Sequence, residues 1–178
     1  PIEILKVWEG GLASHVAAFG ILLVVWIYSR KYKFLYISLL DKIVIVIHLA
    51  GALVRMGNLM NSEIFGDVTT LPWGFIFVKA QQTIPRHPTQ IYEAIACILI
   101  FAILLYLYFK KNAGMKTGYL FGVFLILLFS FRFIVEFIKD VQVDFEKTMF
   151  LNMGQLLSIP LIGVGIYLLG KAMRKKTD

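Results

Sequence analysis

This sequence has few charged residues and only one cysteine. Charged residues make up 16% of its 178 residues and hydrophobic residues 59%, whereas soluble domains average about a quarter and a half. So few polar residues cannot cover a soluble protein of this size, which argues for a membrane protein. The single cysteine, Cys97, excludes an intrachain disulfide and a cysteine-based metal site. It lies in an apolar run, and we interpret it as a packing residue.

Several functional motifs are also missing. There is no Gly-x-Ser-x-Gly nucleophile motif, which would favour an intramembrane serine protease. The carboxylates form neither a clustered ligand set nor the aspartate-rich signature of metal-dependent phosphotransferases. We therefore expect no metal and no cofactor. The chain begins at Pro1, without a methionine or a signal-peptide pattern, so we expect that upstream membrane helices are missing.

Long apolar runs are what the chain does have. About 20 consecutive apolar residues are enough to span a bilayer as a helix. The runs predict an all-α, polytopic transmembrane helix bundle, a single integral membrane domain over residues 1–178. The five predicted spans cover approximately residues 11–29, 43–60, 90–109, 118–138 and 154–171. The longest connection, 61–89, contains several prolines and no further span.

The basic residues predict the orientation of these spans. Eleven of the 18 lysines and arginines lie in the connections 30–42 and 110–117 and in the C-terminal tail. Positive charge marks the cytoplasmic side, so the chain start and the connection 61–89 are predicted to face outward and the C-terminus inward. The net charge of +7 is then mainly a topology signal. We expect no nucleic-acid partner.

Ionisable residues inside a membrane are costly and usually functional. Seven lie in or beside the predicted spans: His15, His48, Arg55, Glu63, Glu93, Arg132 and Glu136. Arg55 and Asn58 share one helix face, and Arg132 and Glu136 are one turn apart. His48 lacks polar neighbours and is interpreted as structural. Five of them map to the outer half of the membrane: His15, Arg55, Glu63, Glu93 and Arg132. This predicts one polar cavity where two arginines hold an anionic phospholipid headgroup.

At these residues the sequence resembles the prolipoprotein diacylglyceryl transferase family. The segment "VRMGNLMNSEIFG" matches the family signature and departs from it at Val54 and Leu59. The further matching segments are "GGLASH" with His15, "RHPTQIYE" at 86–93, "FRFIVEF" and "GQLLSIP". After His15, Val16 and Ala17 stand where the family often has glycine. The resemblance implies a seven-span enzyme of the bacterial cytoplasmic membrane, of which this chain would be the C-terminal five spans.

The resemblance also implies the reaction. A diacylglyceryl group would pass from phosphatidylglycerol to the lipobox cysteine of a prolipoprotein, which forms a thioether and releases glycerol phosphate. Phosphatidylglycerol, the lipobox segment and membrane lipids are the implied partners. His15 is our candidate for the base that deprotonates the thiol, with Glu63 as the substitute.

Arg55 and Arg132 are predicted to stabilise the leaving phosphate, with Asn58 as a neutral donor and Glu136 orienting Arg132. The predicted substrate-binding residues are Arg55, Asn58, Asn61, Gly66, Arg86, Tyr92, Glu93, Arg132 and Glu136. An alternative of another class remains: a lipid or anion transporter that uses the two-arginine cavity for binding without chemistry.

Overall fold

The computed structural model describes residues 14–110, 113, 116–139 and 151–174, and its architecture is helical. The five helices are α1 (Ser14–Tyr32), α2 (Tyr36–Asn61), α3 (Thr89–Lys110), α4 (Tyr119–Val135) and α5 (Met153–Arg174). Short 3₁₀ turns also cover Val78–Ala80 and Glu136–Ile138. Within the described ranges, β structure is limited to isolated bridges. The prediction of an all-α polytopic bundle is confirmed.

Four helical segments among the described residues are long and apolar enough to cross a membrane. They are Tyr36–Asn61, Thr89–Lys110, Tyr119–Ile138 and Gly154–Arg174. They coincide with the last four predicted spans, as expected where the bilayer favours helices that satisfy their own backbone hydrogen bonds. Helix α1 lies at the first predicted span, 11–29, but it has 19 residues, contains Arg30 and Lys31 in its last turn, and is not one of the four. That this segment also spans the membrane stays a prediction.

Helices α4 and α5 form the closest helix pair because two glycines face each other. A Cβ atom on Gly122 would lie 2.9 Å from the Gly165 carbonyl oxygen, and one on Gly165 would lie 2.9 Å from the Gly122 carbonyl oxygen. Small residues permit such backbone contact, which is how membrane helices gain packing energy without a hydrophobic driving force. The pair therefore fixes α4 against α5.

Helices α2, α3 and α4 meet around a second core. Val44, Ile100, Leu104 and Leu120 are buried there. At its edge the buried Asp41 of α2 accepts hydrogen bonds from the first backbone amides of α4. Its Oδ2 lies 2.6 Å from the Gly118 nitrogen and its Oδ1 lies 2.8 Å from the Phe121 nitrogen. A side chain from another helix thus caps α4, which has free amides at its N-terminus like any helix.

The connection between α2 and α3 folds back on itself at one end of the bundle. Its two halves pair through reciprocal backbone hydrogen bonds of Phe75 and Arg86, with nitrogen–oxygen distances of 3.0 and 2.9 Å. Thr69 donates to the Pro85 carbonyl at 3.0 Å. This pairing brings the end of α2 and the start of α3 together, and with them the residues of two sequence motifs.

Candidate functional site

The site is built around an ion pair between α2 and α3. The Nε atom of Arg55, near the end of α2, lies 2.8 Å from Oε2 of Glu93, one turn inside α3. The Glu93 side chain is only 9% exposed, while that of Arg55 is 24% exposed. Burial excludes water from the carboxylate, so its partners must compensate for the lost hydration. The guanidinium reaches the surface of this site and is open to a ligand.

Glu93 has a second cationic partner. The Nζ atom of Lys139, just after the 3₁₀ turn that follows α4, lies 3.4 Å from Oε1 of Glu93. One carboxylate therefore holds two cations from two other parts of the chain. The three side chains together carry one net positive charge.

Helix α2 ends in a way that turns the signature segment back toward this cluster. Ser62 adopts the left-handed conformation with φ of 57°. The Ser62 and Glu63 amides donate to the Leu59 and Asn58 carbonyls at 3.1 and 2.9 Å, which is the Schellman pattern. The reversed chain brings Glu63 back to Asn58, whose Nδ2 lies 3.2 Å from Glu63 Oε2.

The first turn of α3 receives the residues that follow. Gln90 donates from Nε2 to the Glu63 carbonyl at 2.6 Å, and the Thr89 hydroxyl donates to the Ile64 carbonyl at 2.9 Å. Both side chains are fully buried. The Thr89 hydroxyl thus joins the signature segment to the start of α3.

Gly66 lies where the chain segments from three motifs cross. Its amide donates to the His87 carbonyl at 2.9 Å, and the next amide, of Asp67, donates to the Ile138 carbonyl at 3.0 Å. A Cβ atom on Gly66 would collide with the Ile138 carbonyl oxygen and would lie 2.8 Å from the side chains of His87 and Thr89. Only glycine fits this crossing.

Arg86 and Tyr92 form contacts with residues of the connection between α2 and α3. The Arg86 Nε donates to Gln82 Oε1 at 2.8 Å, its guanidinium lies over the Phe65 ring at 5.2 Å, and it reaches the Gly66 carbonyl at 3.4 Å. The Tyr92 hydroxyl accepts from Trp73 Nε1 at 3.0 Å and lies 3.3 Å from His87 Nδ1. Their part in substrate binding stays a prediction.

Arg132 and Glu136 lie in the last turn of α4 and directly after it. Arg132 is half-buried, and its guanidinium forms no ion pair with any residue that the structure describes. The expected contact with Glu136 is not seen in this part of the chain. Gly154 of α5 packs directly against the Glu136 carboxylate, because a Cβ there would lie 2.7 to 2.8 Å from it. Arg132 is therefore a cation without a protein counter-ion among the described side chains.

Several buried polar atoms at this end of the bundle lack a hydrogen-bond partner among the described residues. They are Asn58 Oδ1, Gln90 Oε1, Glu93 Oε2 and Glu136 Oε2, of which the Glu93 atom lies in the ion pair with Arg55. Buried polar atoms are normally satisfied by protein, water or a ligand. Asn61, the last residue of α2, is exposed beside them. In the described ranges no three histidine, cysteine or acidic side chains group as a metal site.

These motifs can be compared with known proteins. A sequence model of the prolipoprotein diacylglyceryl transferase family matches residues 1–170. The chain belongs to this family. Three relatives are phosphatidylglycerol–prolipoprotein diacylglyceryl transferases by name. That of Bacteroides fragilis is 44% identical over 167 residues, 94% of this chain and 60% of the relative.

The other two relatives have a similar sequence identity to this chain. The protein of Tolumonas auensis is 44% identical over 179 residues, 99% of this chain and 68% of the relative. That of Porphyromonas gingivalis is 43% identical over 188 residues, 98% of this chain and 66% of the relative. The chain thus spans about 60% of the length of the Bacteroides relative that it matches.

Both departures from the family signature lie on α2. Val54 is exposed on α2, and Leu59 is half-buried one turn after Arg55. Both are apolar, as suits a helix in a bilayer, and neither contacts Glu93 through a polar atom. The polar signature residues Arg55, Asn58 and Glu63 keep the contacts given above.

The structure describes the side chain of His48 but not that of His15. His15 lies in the first turn of α1, but its side chain is outside the described part, so its role as base stays a prediction. His48 is buried, with Nδ1 2.8 Å from the Val44 carbonyl oxygen and its ring edge-on to Phe124 at 4.9 Å. These contacts agree with its interpretation as structural.

Sequence reasoning missed Lys139 and Gln90. Lys139 counted only as a basic residue of an outer connection, and Gln90 stood unremarked within "RHPTQIYE". The available signal was their position, since Gln90 is three residues before Glu93 on the same helix face and Lys139 is three after Glu136. Neither position alone indicates a contact with Glu93 or Glu63.

Proposed function

We propose that this chain forms the phosphate-binding part of a phosphatidylglycerol–prolipoprotein diacylglyceryl transferase. The substrates would be phosphatidylglycerol and the lipobox segment of a prolipoprotein. Family membership and the names of the relatives support the activity. The single observation that carries it here is the Arg55–Glu93–Lys139 cluster, a net positive charge at the end of a membrane bundle.

The reaction needs a thiolate and a stabilised leaving group. The lipobox sulfur would attack the glyceryl carbon that bears the phosphate, so a carbon–sulfur bond forms, the carbon–oxygen bond breaks and glycerol phosphate leaves. The thiol proton would pass to His15, or to Glu63 as the substitute. Glu63 is exposed and is bonded to Asn58, which would keep its carboxylate in place.

The leaving phosphate would lie against Arg55 and Arg132. Glu93 pairs with the Nε side of Arg55, and the Nη groups would bind phosphate oxygens. Asn58 would add a neutral donor. Donors fixed in a water-poor site stabilise developing charge more than mobile water does, which is why the surrounding packing matters.

The protein is a multi-pass membrane protein, and we propose its orientation from the basic residues. The bacterial cytoplasmic membrane is the proposed location, with the C-terminus in the cytoplasm and the connection 61–89 outside. The site would then face the outer side, where secreted precursors are exposed. The last turn of α1 contains Arg30 and Lys31, and the last turn of α5 contains Lys171 and Arg174. Basic residues at these two helix ends agree with the positive-inside rule.

A transporter would bind the same headgroup without turnover. The test is glycerol phosphate release from phosphatidylglycerol in the presence of a lipobox peptide, measured for the full-length protein. Arg55→Ala and Arg132→Ala should each lower the turnover by about 100-fold or more, the effect of removing one preorganised donor. Arg174→Ala, at the opposite end of the bundle, is the control that should keep wild-type turnover.

The outcomes separate the hypotheses. Unchanged turnover in folded Arg55→Ala and Arg132→Ala proteins would contradict the phosphate role. A folded wild type that binds phosphatidylglycerol but releases no glycerol phosphate would favour the transporter.

A further inference from the structure

Lys139 has an environment unusual for a lysine. Lysine side chains are almost never fully buried unless they are paired, yet that of Lys139 is only 8% exposed. Its one partner among the described residues is Glu93, at 3.4 Å. The cost of burying this ammonium group calls for a reason beyond membrane topology.

The backbone around Lys139 is fixed by the signature segment. Lys139 forms an isolated antiparallel bridge with Gly66, and the preceding carbonyl, of Ile138, accepts from the Asp67 amide at 3.0 Å. The missing side chain of Gly66 allows this approach, since a Cβ atom would collide with the Ile138 oxygen. The signature glycine thus places the lysine against Glu93.

We propose that Lys139 is a positioning residue of the anion site, acting through Glu93. This inference rests on the proposed function for its ligand, the phosphate of phosphatidylglycerol. Lys139 occupies Oε1 of Glu93, which leaves Oε2 for the Arg55 Nε. The ion pair then holds Arg55 on its Nε side, and the Nη groups are presented to a phosphate.

Removal of the lysine would change both geometry and charge. Oε1 of Glu93 would lose its partner, and the carboxylate could form a two-pronged pair with Arg55, the geometry that guanidinium and carboxylate favour. That pair would take a further N–H group from the phosphate. The net charge of the cluster would also fall from one to zero. Both changes weaken binding of an anion and leave the second substrate unaffected.

The test is steady-state kinetics of the full-length protein with each substrate varied in turn. Lys139→Met should raise KM for phosphatidylglycerol about tenfold, equivalent to about 1.4 kcal/mol, while KM for the lipobox peptide stays within about twofold. Lys139→Arg keeps the charge and should restore KM to within about threefold of wild type.

Lys79→Met is the matched control. Lys79 lies in the connection on the same end of the bundle and is exposed, and its Nζ contacts the Met60 carbonyl oxygen at 2.8 Å instead of Glu93. The substitution removes the same charge, so an equal rise in KM would show a general charge effect and overturn the proposal. A Lys139→Met protein with unchanged KM, or with both substrates affected alike, would also overturn it.

A binding measurement separates this inference from the proposed reaction. Native mass spectrometry of the full-length protein would compare phosphatidylglycerol with zwitterionic phosphatidylcholine. The wild type and Lys79→Met should prefer phosphatidylglycerol, and Lys139→Met should lose that preference, whether or not glycerol phosphate is released. Should Lys139→Met fail to fold, Lys139→Gln carries the same prediction. Equal preference in the wild type and in the neutral variant would refute the role of Lys139.

Discussion

Gly66 shows how one residue can determine the geometry of a site without contributing a side chain. Its amide donates a hydrogen bond to the His87 carbonyl, and the adjacent amide, of Asp67, donates one to the Ile138 carbonyl. Three separate segments of the chain therefore meet at the position where any other residue would carry a Cβ atom. The positions of the polar residues Arg55, Glu93 and Lys139 therefore depend on a contact between the backbones at Gly66 and Ile138.

Replacing Gly66 should disturb both stability and turnover. In Gly66→Ala the new methyl group would collide with the Ile138 carbonyl oxygen, so one of the two segments must shift. Overpacking of this kind costs about 1–3 kcal/mol, and the shift would move Lys139 away from Glu93. We expect a lower melting temperature in detergent and reduced glycerol phosphate release.

Gly163→Ala provides the comparison, because nothing lies within 4 Å of the added carbon. Alanine there should be neutral or favourable by up to about 1 kcal/mol from helix propensity. A Gly66→Ala protein as stable and active as Gly163→Ala would contradict the crossing described here.

Among the helices, α4 depends on a residue of α2. Asp41 satisfies the Gly118 and Phe121 amides, which have no partner inside their own helix. Gly118 adopts a positive φ of 88°, so the turn before α4 is one that glycine enters readily. The cap joins the start of α4 to α2 across 77 residues of sequence.

Removal of this cap should destabilise the bundle. Asp41→Ala would leave two amides unsatisfied beside a buried core, at about 1–3 kcal/mol each, and would lower the melting temperature. Asp41→Asn keeps one oxygen acceptor and should lie between the alanine variant and the wild type. Lys42→Ala, one residue further along and exposed, should leave the melting temperature unchanged; an equal loss for Lys42→Ala would show that the effect does not come from capping.

At the scale of the whole molecule, the proposed orientation makes a labelling prediction. In a Cys97→Ala background, Thr83→Cys and Thr117→Cys place one thiol at each predicted face, and both threonines are exposed. A membrane-impermeant maleimide added to intact spheroplasts should label the cysteine at 83. The cysteine at 117 should react only after the membrane is permeabilised.

The reverse labelling pattern would place the Arg55 cluster on the cytoplasmic side. It would contradict the access of secreted precursors on which the proposed reaction depends. Labelling of both positions in permeabilised cells serves as the control that each thiol is reactive.

Much of the helix pattern could be predicted from the sequence, but not where each helix begins. The second span was predicted over approximately residues 43–60, and the helix that contains it, α2, begins earlier, at Tyr36. Asp41 and Lys42 are typical of a connection, and only the amides of α4 explain how a helix accommodates a buried aspartate. Local composition does not reveal a partner that lies so far away in sequence.

The sequence by itself determined that the chain is an all-helical membrane protein and which family it belongs to. A bilayer leaves an apolar run few alternatives to a helix, and the motifs are contiguous, so both properties can be read locally. Only the tertiary structure decided that Glu93 is shared by Arg55 and Lys139 and that Arg86 and Tyr92 hold the connection. Those contacts join residues up to 46 positions apart, and helix periodicity relates only neighbours three or four residues away. The packing of α2, α3 and the end of α4 brings them together.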